Sequence, residues 1–476
     1  MEEGDIDIGL NDISSDIVKE GENKSFIAKK KYIFISLISI IILILLVTFI
    51  IIILSQETSG LKEKGKFKCI YSIDNISNNV NILGKEYIKN SEIDILMDGK
   101  KIDFTKEYKF QKIGNHNIDF VIYEDISMDY MFKNISSIIS IELLSNKDLK
   151  IFSMISSFEN CKNLKNIKIS GINTSKIKSM KNLFSGSGLT EIPFKQFIFD
   201  ELEDISFLFS YTEIISADLS FLNKTKIKDM SYMFYSCESL LNINFYNIDT
   251  TQVINMSHMF ESCISLKDLN LNNLNTKNII DISSMFKDCY SLENLDISNF
   301  NTSLVKDMTS IFENCNQLKF IDLSNFDTKN VENMSHAFDF CSSLVSLDLS
   351  NFDTINVKDI SFMFNNCKNL QKLNINNFNT NNVINMSYIF SFCSSLRELN
   401  LSCFNTNKVI NMSGMFHECT NLNKLNFSNF NTELVEDMSS MFAYCGSLSI
   451  LDIKSFNTFQ VKICLKCLLI VICYLH

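Results

Sequence analysis

Residues 253–276 read VINMSHMFESCISLKDLNLNNLNT, and similar units recur along most of the chain. Each unit carries a Phe at the same place, and successive copies are about 26 residues apart, a period within the range of repeat proteins. The copies are Phe132, Phe158, Phe184, Phe209, Phe234, Phe260, Phe286, Phe312, Phe338, Phe364, Phe390, Phe416 and Phe442. A nearly fixed period of this length predicts a solenoid in which each coil rests on its neighbours. We therefore expect about 13 coils over residues 126–461.

The first half of the unit has the apolar spacing of a helix. Met256, Met259, Phe260 and Cys263 stand at i, i+3, i+4 and i+7, which places them on one face of a helix of about two turns. The residue before the first Met is Asp or Asn in nine consecutive units, which predicts a helix N-cap. These residues are Asp229, Asn255, Asp281, Asp307, Asn333, Asp359, Asn385, Asn411 and Asp437.

The second half of the unit has the alternation of a strand. Leu269 and Leu271 are expected to face inward and Asn270 outward, as on a short parallel strand. The predicted fold class is therefore an α/β solenoid, a leucine-rich-repeat-like stack with one short parallel strand and one short helix in every coil.

The consensus C-x-S-L-x-x-L-x-[LIF]-x-x-F-[ND]-T-x-x-V-x-[ND]-M-S-x-M-F closely resembles the repeat of the BspA-like leucine-rich-repeat surface proteins. The resemblance covers about 330 of the 476 residues and is most specific over 227–461. It implies display on the outside of a cell, with adhesion or recognition of ligands on host or neighbouring cells.

A Cys stands three residues after the Phe in nine consecutive units. These are Cys237, Cys263, Cys289, Cys315, Cys341, Cys367, Cys393, Cys419 and Cys445. Coils about 4.8 Å apart would bring neighbouring Cα atoms within disulfide range, so geometry alone leaves disulfides or metal binding open. The position on the apolar face and the odd number favour a reduced, buried packing ladder.

The N-terminal region predicts a membrane anchor. Residues 32–54 are uncharged and rich in Ile and Leu, which is long enough for a transmembrane helix. The polar residues 1–31 are too long a leader for a cleaved signal peptide, so they are expected to be a disordered cytosolic tail. Lys29, Lys30 and Lys31 favour a cytosolic N-terminus, which predicts a single-pass signal anchor in the cell membrane with extracellular repeats.

Two shorter regions flank the repeats. Residues 55–125 show alternating apolar residues around Asp98-Gly99, which predicts a hairpin within a small β-rich spacer that caps the first coil. Residues 462–476 form an apolar tail with a lone Cys464-x-x-Cys467 pair, interpreted as a cap or as the end of a truncated gene model.

Charge and motif content exclude several classes of function. Fifty-five acidic and 44 basic residues give a net charge of −11, so nucleic acid is not expected as a partner. No nucleophile, phosphate-binding or metal motif interrupts the repeats. The chain is therefore expected to be no enzyme and to need no cofactor or metal.

Two outward columns on the predicted sheet are candidate ligand-binding positions. One column includes the consecutive carboxylates Asp296, Asp322 and Asp348, which would repel one another unless they are spread apart, protonated or bridged by a cation. A solvated polar face and a cation or polar-ligand site both remain open for it. The other column varies freely, as a recognition face would, and supplies the further candidates Phe320, Lys372 and Glu398.

Together these patterns predict a membrane-anchored surface protein that binds a protein or glycan ligand on another surface. The alternative is a scaffold on an internal membrane, or facing the cytosol, that binds protein partners. The orientation of the repeats across the membrane separates the two hypotheses.

Overall fold

The computed structural model describes residues 38–48, 62–145, 149–191, 194, 197, 199–223, 225–448, 451, 453–454 and 456–462. The chain divides into two units, 1–62 and 63–476. Residues 38–48 of the first unit are helical, and within the described residues no helix has both the length and the apolar character needed to cross a membrane. The rest of the predicted span 32–54, the predicted tail 1–31 and all but Lys462 of the predicted tail 462–476 lie outside the described residues. The transmembrane helix stays a prediction.

The second unit is built from strands of two to nine residues, and among the described residues every strand after residue 170 has three. They are β1 (Gly65–Ile73), β2 (Val80–Asn81), β3 (Ile93–Met97), β4 (Lys100–Ile102), β5 (Glu107–Tyr108), β6 (Gly114–Ile122), β7 (Ile126–Ser127), β8 (Ile138–Ser145), β9 (Ile151–Ser153), β10 (Asn166–Ser170), β11 (Ser216–Asp218), β12 (Asn242–Asn244), β13 (Asp268–Asn270), β14 (Asn294–Asp296), β15 (Ser346–Asp348) and β16 (Lys372–Asn374). One 3₁₀ helix, Ser220–Leu222, follows β11.

A six-stranded sheet joins the segment 63–125, which precedes the repeats, to the first coils. Its strand order is β10-β8-β1-β6-β3-β4. Strand β1 pairs antiparallel with β8, while β8 pairs parallel with β10 of the following coil. The pairing covers the free edge that β8 would otherwise present to solvent. The predicted hairpin is confirmed, since β3 and β4 pair antiparallel across Asp98 and Gly99, whose φ angles are 46° and 80°.

The later coils carry three-residue parallel strands, as predicted. Asp268, Leu269 and Asn270 of β13 pair with the equivalent residues of the next coil, which form β14. Leu269 is buried while Asp268 and Asn270 are exposed. The solenoid of stacked coils with short parallel strands is therefore confirmed.

The predicted helix is wrong. Over 256–263 the chain makes successive β-turns, in which the Met259 amide donates to the Met256 carbonyl at 3.3 Å and the Cys263 amide donates to the Phe260 carbonyl at 3.0 Å. His258 and Ser262 have φ angles of 56° and 61°, which a right-handed helix excludes. The same left-handed positions recur in the neighbouring coils.

The remaining amides of this segment bond to the next coil. The Met256, His258 and Phe260 amides donate to the carbonyls of Asp281, Ser283 and Met285 at 3.0, 2.9 and 3.0 Å. In a helix that begins at Met256, the Phe260 amide would instead donate to the Met256 carbonyl four residues earlier. The solenoid is consequently a β-solenoid made of short strands and turns rather than an α/β stack.

The spacing between coils explains why turns replace helices. The rings of Phe312 and Phe338 lie 5.3 Å apart, and those of Phe184 and Phe209 lie 6.1 Å apart. Packed helices need about 8–10 Å between their axes, whereas neighbouring strands lie about 4.8 Å apart. Turns that hydrogen-bond to the next coil give the turn side of the stack the same small distance between coils as the strand side.

The residues predicted to be buried are nevertheless buried. Met256, Met259, Phe260 and Cys263 have no exposed surface. Asn255 accepts the Ser257 amide at 2.9 Å, so it caps a turn instead of a helix. About nine coils, those of Cys237 to Cys445, form the regular part of the stack, and residues 126–226 continue it less regularly.

From Thr250 to Thr432, a buried Thr in each coil bonds to the next coil. The Thr354 hydroxyl donates to the Asn379 carbonyl at 3.0 Å and accepts the Asn379 amide at 2.7 Å. Thr354→Val should lower the free energy of unfolding by about 2–3 kcal/mol, because it leaves both backbone groups without a partner. Chemical denaturation measures the loss. Thr354→Ser keeps the hydroxyl and should cost less; equal losses for both variants would contradict this role.

Candidate functional site

The exposed face of the sheet carries two columns of side chains. The polar column contains the last residue of each strand, or of the equivalent segment where no strand forms. Its members are Asn270, Asp296, Asp322, Asp348 and Asn374. In each of these coils the side-chain oxygen accepts the amide two residues further on. Each side chain of this column therefore caps the turn that follows its strand.

The carboxylates of the polar column are stabilised by these turns. The Ser324 amide donates to Asp322 at 3.0 Å and holds the pKa of that carboxyl below its ordinary value. The Ser350 amide does the same for the pKa of Asp348, which also accepts the Asn374 amide group at 2.9 Å. Asp322 and Asp348 therefore remain ionised at neutral pH. Among the described residues they do not form a group of metal ligands.

A groove of about 1010 Å³ lies on the sheet face across five coils. We call it the sheet-face groove and define it by Phe320, Asp322, Asp348, Lys372, Glu398 and Lys424. The Phe320 side chain is 67% exposed, although Ile321 beside it is buried. Residues 319–323, all of them described, form no strand, so Phe320 lies at an interruption between β14 and β15.

Three charged side chains of the groove are not engaged elsewhere in the described part of the chain, unlike the carboxylates of Asp322 and Asp348. Lys372, Glu398 and Lys424 are exposed and make no ion pair or side-chain hydrogen bond with a described residue. Away from the groove, Lys358 pairs with Glu332 of the preceding coil at 2.6 Å. The groove thus combines an exposed aromatic ring with charges that are available to a ligand.

The structure brings five of the six predicted ligand-binding residues together. Phe320, Asp322, Asp348, Lys372 and Glu398 line the groove. The sixth, Asp296, does not line it, and its carboxylate accepts hydrogen bonds from Asn272 and Ser298.

Of the six residues that define the groove, one was not among the predicted ligand-binding residues. Lys424 lines it and lies one repeat after Glu398 in the same variable column. Its position in that column was the signal that could have identified it.

The Cys ladder lies on the inner side of the turns. The described copies from Cys237 to Cys445 are free, buried thiols. The Cys263 thiol donates to the Phe234 carbonyl of the preceding coil at 3.2 Å, and Cys289 does the same to Phe260 at 3.1 Å. Burial raises the pKa of the Cys237 thiol to about 12. The thiol is a second, weak donor to a carbonyl that already accepts an amide of its own coil, and this added bond together with the small apolar side chain favours Cys at this position.

Because the thiols are buried and protonated, we expect alkylation of the native protein to be slow at neutral pH. In denaturant without reductant, mass spectrometry should find most of the ladder labelled. Adjacent cysteines recovered as linked pairs would contradict a reduced ladder.

Comparison with known families finds one match. The family described as "Mycoplasma protein of unknown function, DUF285" matches residues 126–242, 151–269, 204–321, 239–345, 312–401 and 371–468. These overlapping segments together cover residues 126–468, which is more than half of the chain. No curated protein matches the chain.

Solved structures with partial similarity to this chain include two complexes. A chain from the Toll–Spatzle complex of Drosophila is 17% identical, with 55% of this chain and 37% of that chain covered and a TM-score of 0.26. A chain from the TLR13–ssRNA13 complex is 13% identical, with 68% of this chain and 65% of that chain covered and a TM-score of 0.20. This chain spans less than two thirds of either.

Proposed function

The chain belongs to the DUF285 family, and we propose that in this member the solenoid recognises a protein ligand through the sheet-face groove. The observation that carries the proposal is an aromatic ring, 67% exposed, beside charged side chains with no partner among the described residues. Exposed aromatic rings that become buried by a partner supply much of the energy of protein recognition. Charges around such a ring select a complementary partner.

The groove is held on a rigid base. Ile321 and Leu347 lie under its surface and are buried in the core. Strands β15 and β16 pair with one another beneath Lys372. A base of this kind lowers the ordering cost of binding, because little of the backbone has to be immobilised when the ligand arrives.

The charge pattern favours a protein ligand. Lys372, Glu398 and Lys424 follow one another in adjacent coils, so the sign of the charge alternates along the groove. A polypeptide segment with acidic and basic side chains can match this alternation, whereas small-molecule sites are mostly apolar and enclosed.

We further propose that the repeats are displayed outside the cell on an N-terminal anchor. The uncharged stretch 32–54 and the preceding Lys29, Lys30 and Lys31 support this orientation. The resemblance of the repeat to the BspA-like surface proteins supports it as well. External protease on intact cells should digest the repeats, and digestion only after permeabilisation would favour an internal scaffold instead.

Site-specific photocrosslinking tests the use of the groove. A photoreactive phenylalanine at position 320 of the full chain, irradiated in the native cells, should yield a discrete adduct. Position 340 is the matched control, because Phe340 is also exposed, at 42%, but belongs to the turns and does not line the groove. No adduct at 320, or equal adducts at both positions, would contradict the proposal.

The chemistry of the adduct tests the class of ligand. If the ligand is a protein, protease should reduce the crosslinked partner to peptides. A partner that resists protease and is shortened by glycosidases would contradict a protein ligand.

A further inference from the structure

A second cluster of polar side chains lies on the turns, away from the sheet-face groove. The ligating atoms of Glu313, His336 and Asp339 lie within 4.8 Å of one another. His336 and Asp339 belong to one coil, and Glu313 occupies the position equivalent to Asp339 in the preceding coil. The three side chains thus converge because two successive coils stack in register.

We propose that Glu313, His336 and Asp339 bind a divalent transition-metal ion of the Zn²⁺ type between these two coils. An imidazole with two carboxylates is a ligand set that suits Zn²⁺ and disfavours Ca²⁺ and Mg²⁺, which prefer oxygen ligands alone. Three protein ligands leave a fourth position open to water. The inference does not depend on the function proposed for the groove.

The distances suit such an ion. His336 Nδ1 lies 2.8 Å from Asp339 Oδ2. Two ligand atoms at about 2.0–2.1 Å from a tetrahedral Zn²⁺ lie about 3.3 Å apart. The ion therefore enters after these two atoms separate by about half an ångström, and it replaces the proton that they share.

The surroundings hold the ligands in place. Asp339 is only 3% exposed, and its other oxygen, Oδ1, accepts the side-chain amide of buried Asn365 at 2.8 Å. The His336 ring stacks on Phe362 with 4.6 Å between the ring centroids. Hydrogen bonds and packing of this kind orient the ligands of metal sites.

The charges also favour a cation. Glu313 and Asp339 supply two negative charges and His336 would bind as a neutral imidazole, while Lys287 offsets part of the charge of Glu313. Lys287 Nζ lies 3.0 Å from Glu313 Oε2, which leaves Glu313 Oε1 for the metal. The cation would neutralise the carboxylate of Asp339, which is costly to bury as an anion.

The chain contains a natural control for this site. His258 and Glu261 occupy the same two positions as His336 and Asp339, and His258 Nδ1 contacts Glu261 Oε2. The preceding coil has Tyr235 where the proposed site has Glu313. This pair therefore has the imidazole and one carboxylate but lacks the third ligand.

Calorimetric titration of the full chain in detergent with Zn²⁺ alone tests the inference. We expect one site that is lost in His336→Ala and in Glu313→Gln, whereas His258→Ala should bind as the unaltered chain does. Asn365→Ala should weaken binding by about 10–100-fold, as loss of an outer partner does at metal sites. Circular dichroism checks that the variants are folded, and partly exposed Glu313 is the substitution least expected to disturb folding.

Three outcomes would overturn the inference. They are unchanged Zn²⁺ binding in both Glu313→Gln and His336→Ala, an equal loss of binding in His258→Ala, and displacement of Zn²⁺ by an equal concentration of Mg²⁺.

Discussion

Phe338→Ala should lower the free energy of unfolding by about 3–5 kcal/mol, because it removes a buried ring from the middle of the stack and leaves a cavity. The Phe338 ring has no exposed surface. It packs between Phe312 and Phe364, whose ring centroids lie 5.3 and 5.8 Å away. Three coils therefore share the loss, which denaturant-induced unfolding of the full chain measures.

Phe340→Ala is the matched control for this substitution. Phe340 lies two residues away in the same coil, and its side chain is 42% exposed. Phe340→Ala should lower the free energy of unfolding much less, because folding removes less of the Phe340 ring surface from water. Equal losses for the two variants, or a Phe338→Ala protein as stable as the unaltered chain, would contradict the packing of stacked Phe rings in the core.

Ser262→Pro should lower the free energy of unfolding by more than about 3 kcal/mol, because the proline ring fixes φ near −65° and removes an amide donor. Ser262 has a φ angle of 61°, and its amide donates to the Lys287 carbonyl of the next coil at 2.8 Å. Both features are lost at once. Thermal unfolding should show a markedly lower melting temperature, and an unchanged value would contradict this turn.

Ser262→Gly distinguishes the turn from the helix that the apolar spacing predicts. Glycine adopts a positive φ without steric cost, so this substitution should leave the protein as stable as before or stabilise it by up to about 1 kcal/mol. In the interior of a helix, glycine would instead destabilise by about 0.5–1 kcal/mol. The sign of the change in unfolding free energy therefore decides between the two backbones.

Which residues are buried in each coil could be predicted from the sequence. The repeat period and the spacing of Met256, Met259, Phe260 and Cys263 place these side chains in the core in either backbone. Spacing reports which side chains share a face, and successive β-turns can place i, i+3, i+4 and i+7 inward just as two helical turns do. The pattern could therefore predict the core without predicting the secondary structure.

The backbone could not be predicted from the pattern of one coil, because neighbouring coils determine it. The Phe260 amide bonds to Met285 of the next coil, a partner that helical spacing does not reveal. The repeated Phe and Cys were the available signal, since side chains that stack directly require coils separated by about the spacing of strands. Packed helices do not fit that spacing.

The candidate site was predicted in part. The variable column supplied Phe320, Lys372 and Glu398, which the structure places along one groove, and their role in binding stays a prediction. Asp296 was included for its charge, although its carboxylate serves the turn at Ser298. Asp322 and Asp348 serve the same kind of turn, so what separates Asp296 from them is its place outside the groove, which charge alone does not reveal.

The cluster of Glu313, His336 and Asp339 was not predicted. Its members belong to two columns and two coils, so no short motif connects them. His336 and His258 occupy the same position in their coils, and this recurrence alone does not identify a set of ligands. The preceding coils distinguish the two His. The coil before His336 carries Glu313, whereas the coil before His258 carries Tyr235 at the equivalent position.

The most direct test of recognition through the sheet-face groove is the affinity of the crosslinked partner for three forms of the full chain: unaltered, Phe320→Ala and Phe340→Ala. A central aromatic anchor contributes about 2 kcal/mol or more, so Phe320→Ala should weaken binding by at least about 30-fold. Phe340→Ala should bind like the unaltered chain. Unchanged affinity in Phe320→Ala, or a larger loss in Phe340→Ala, would contradict the account.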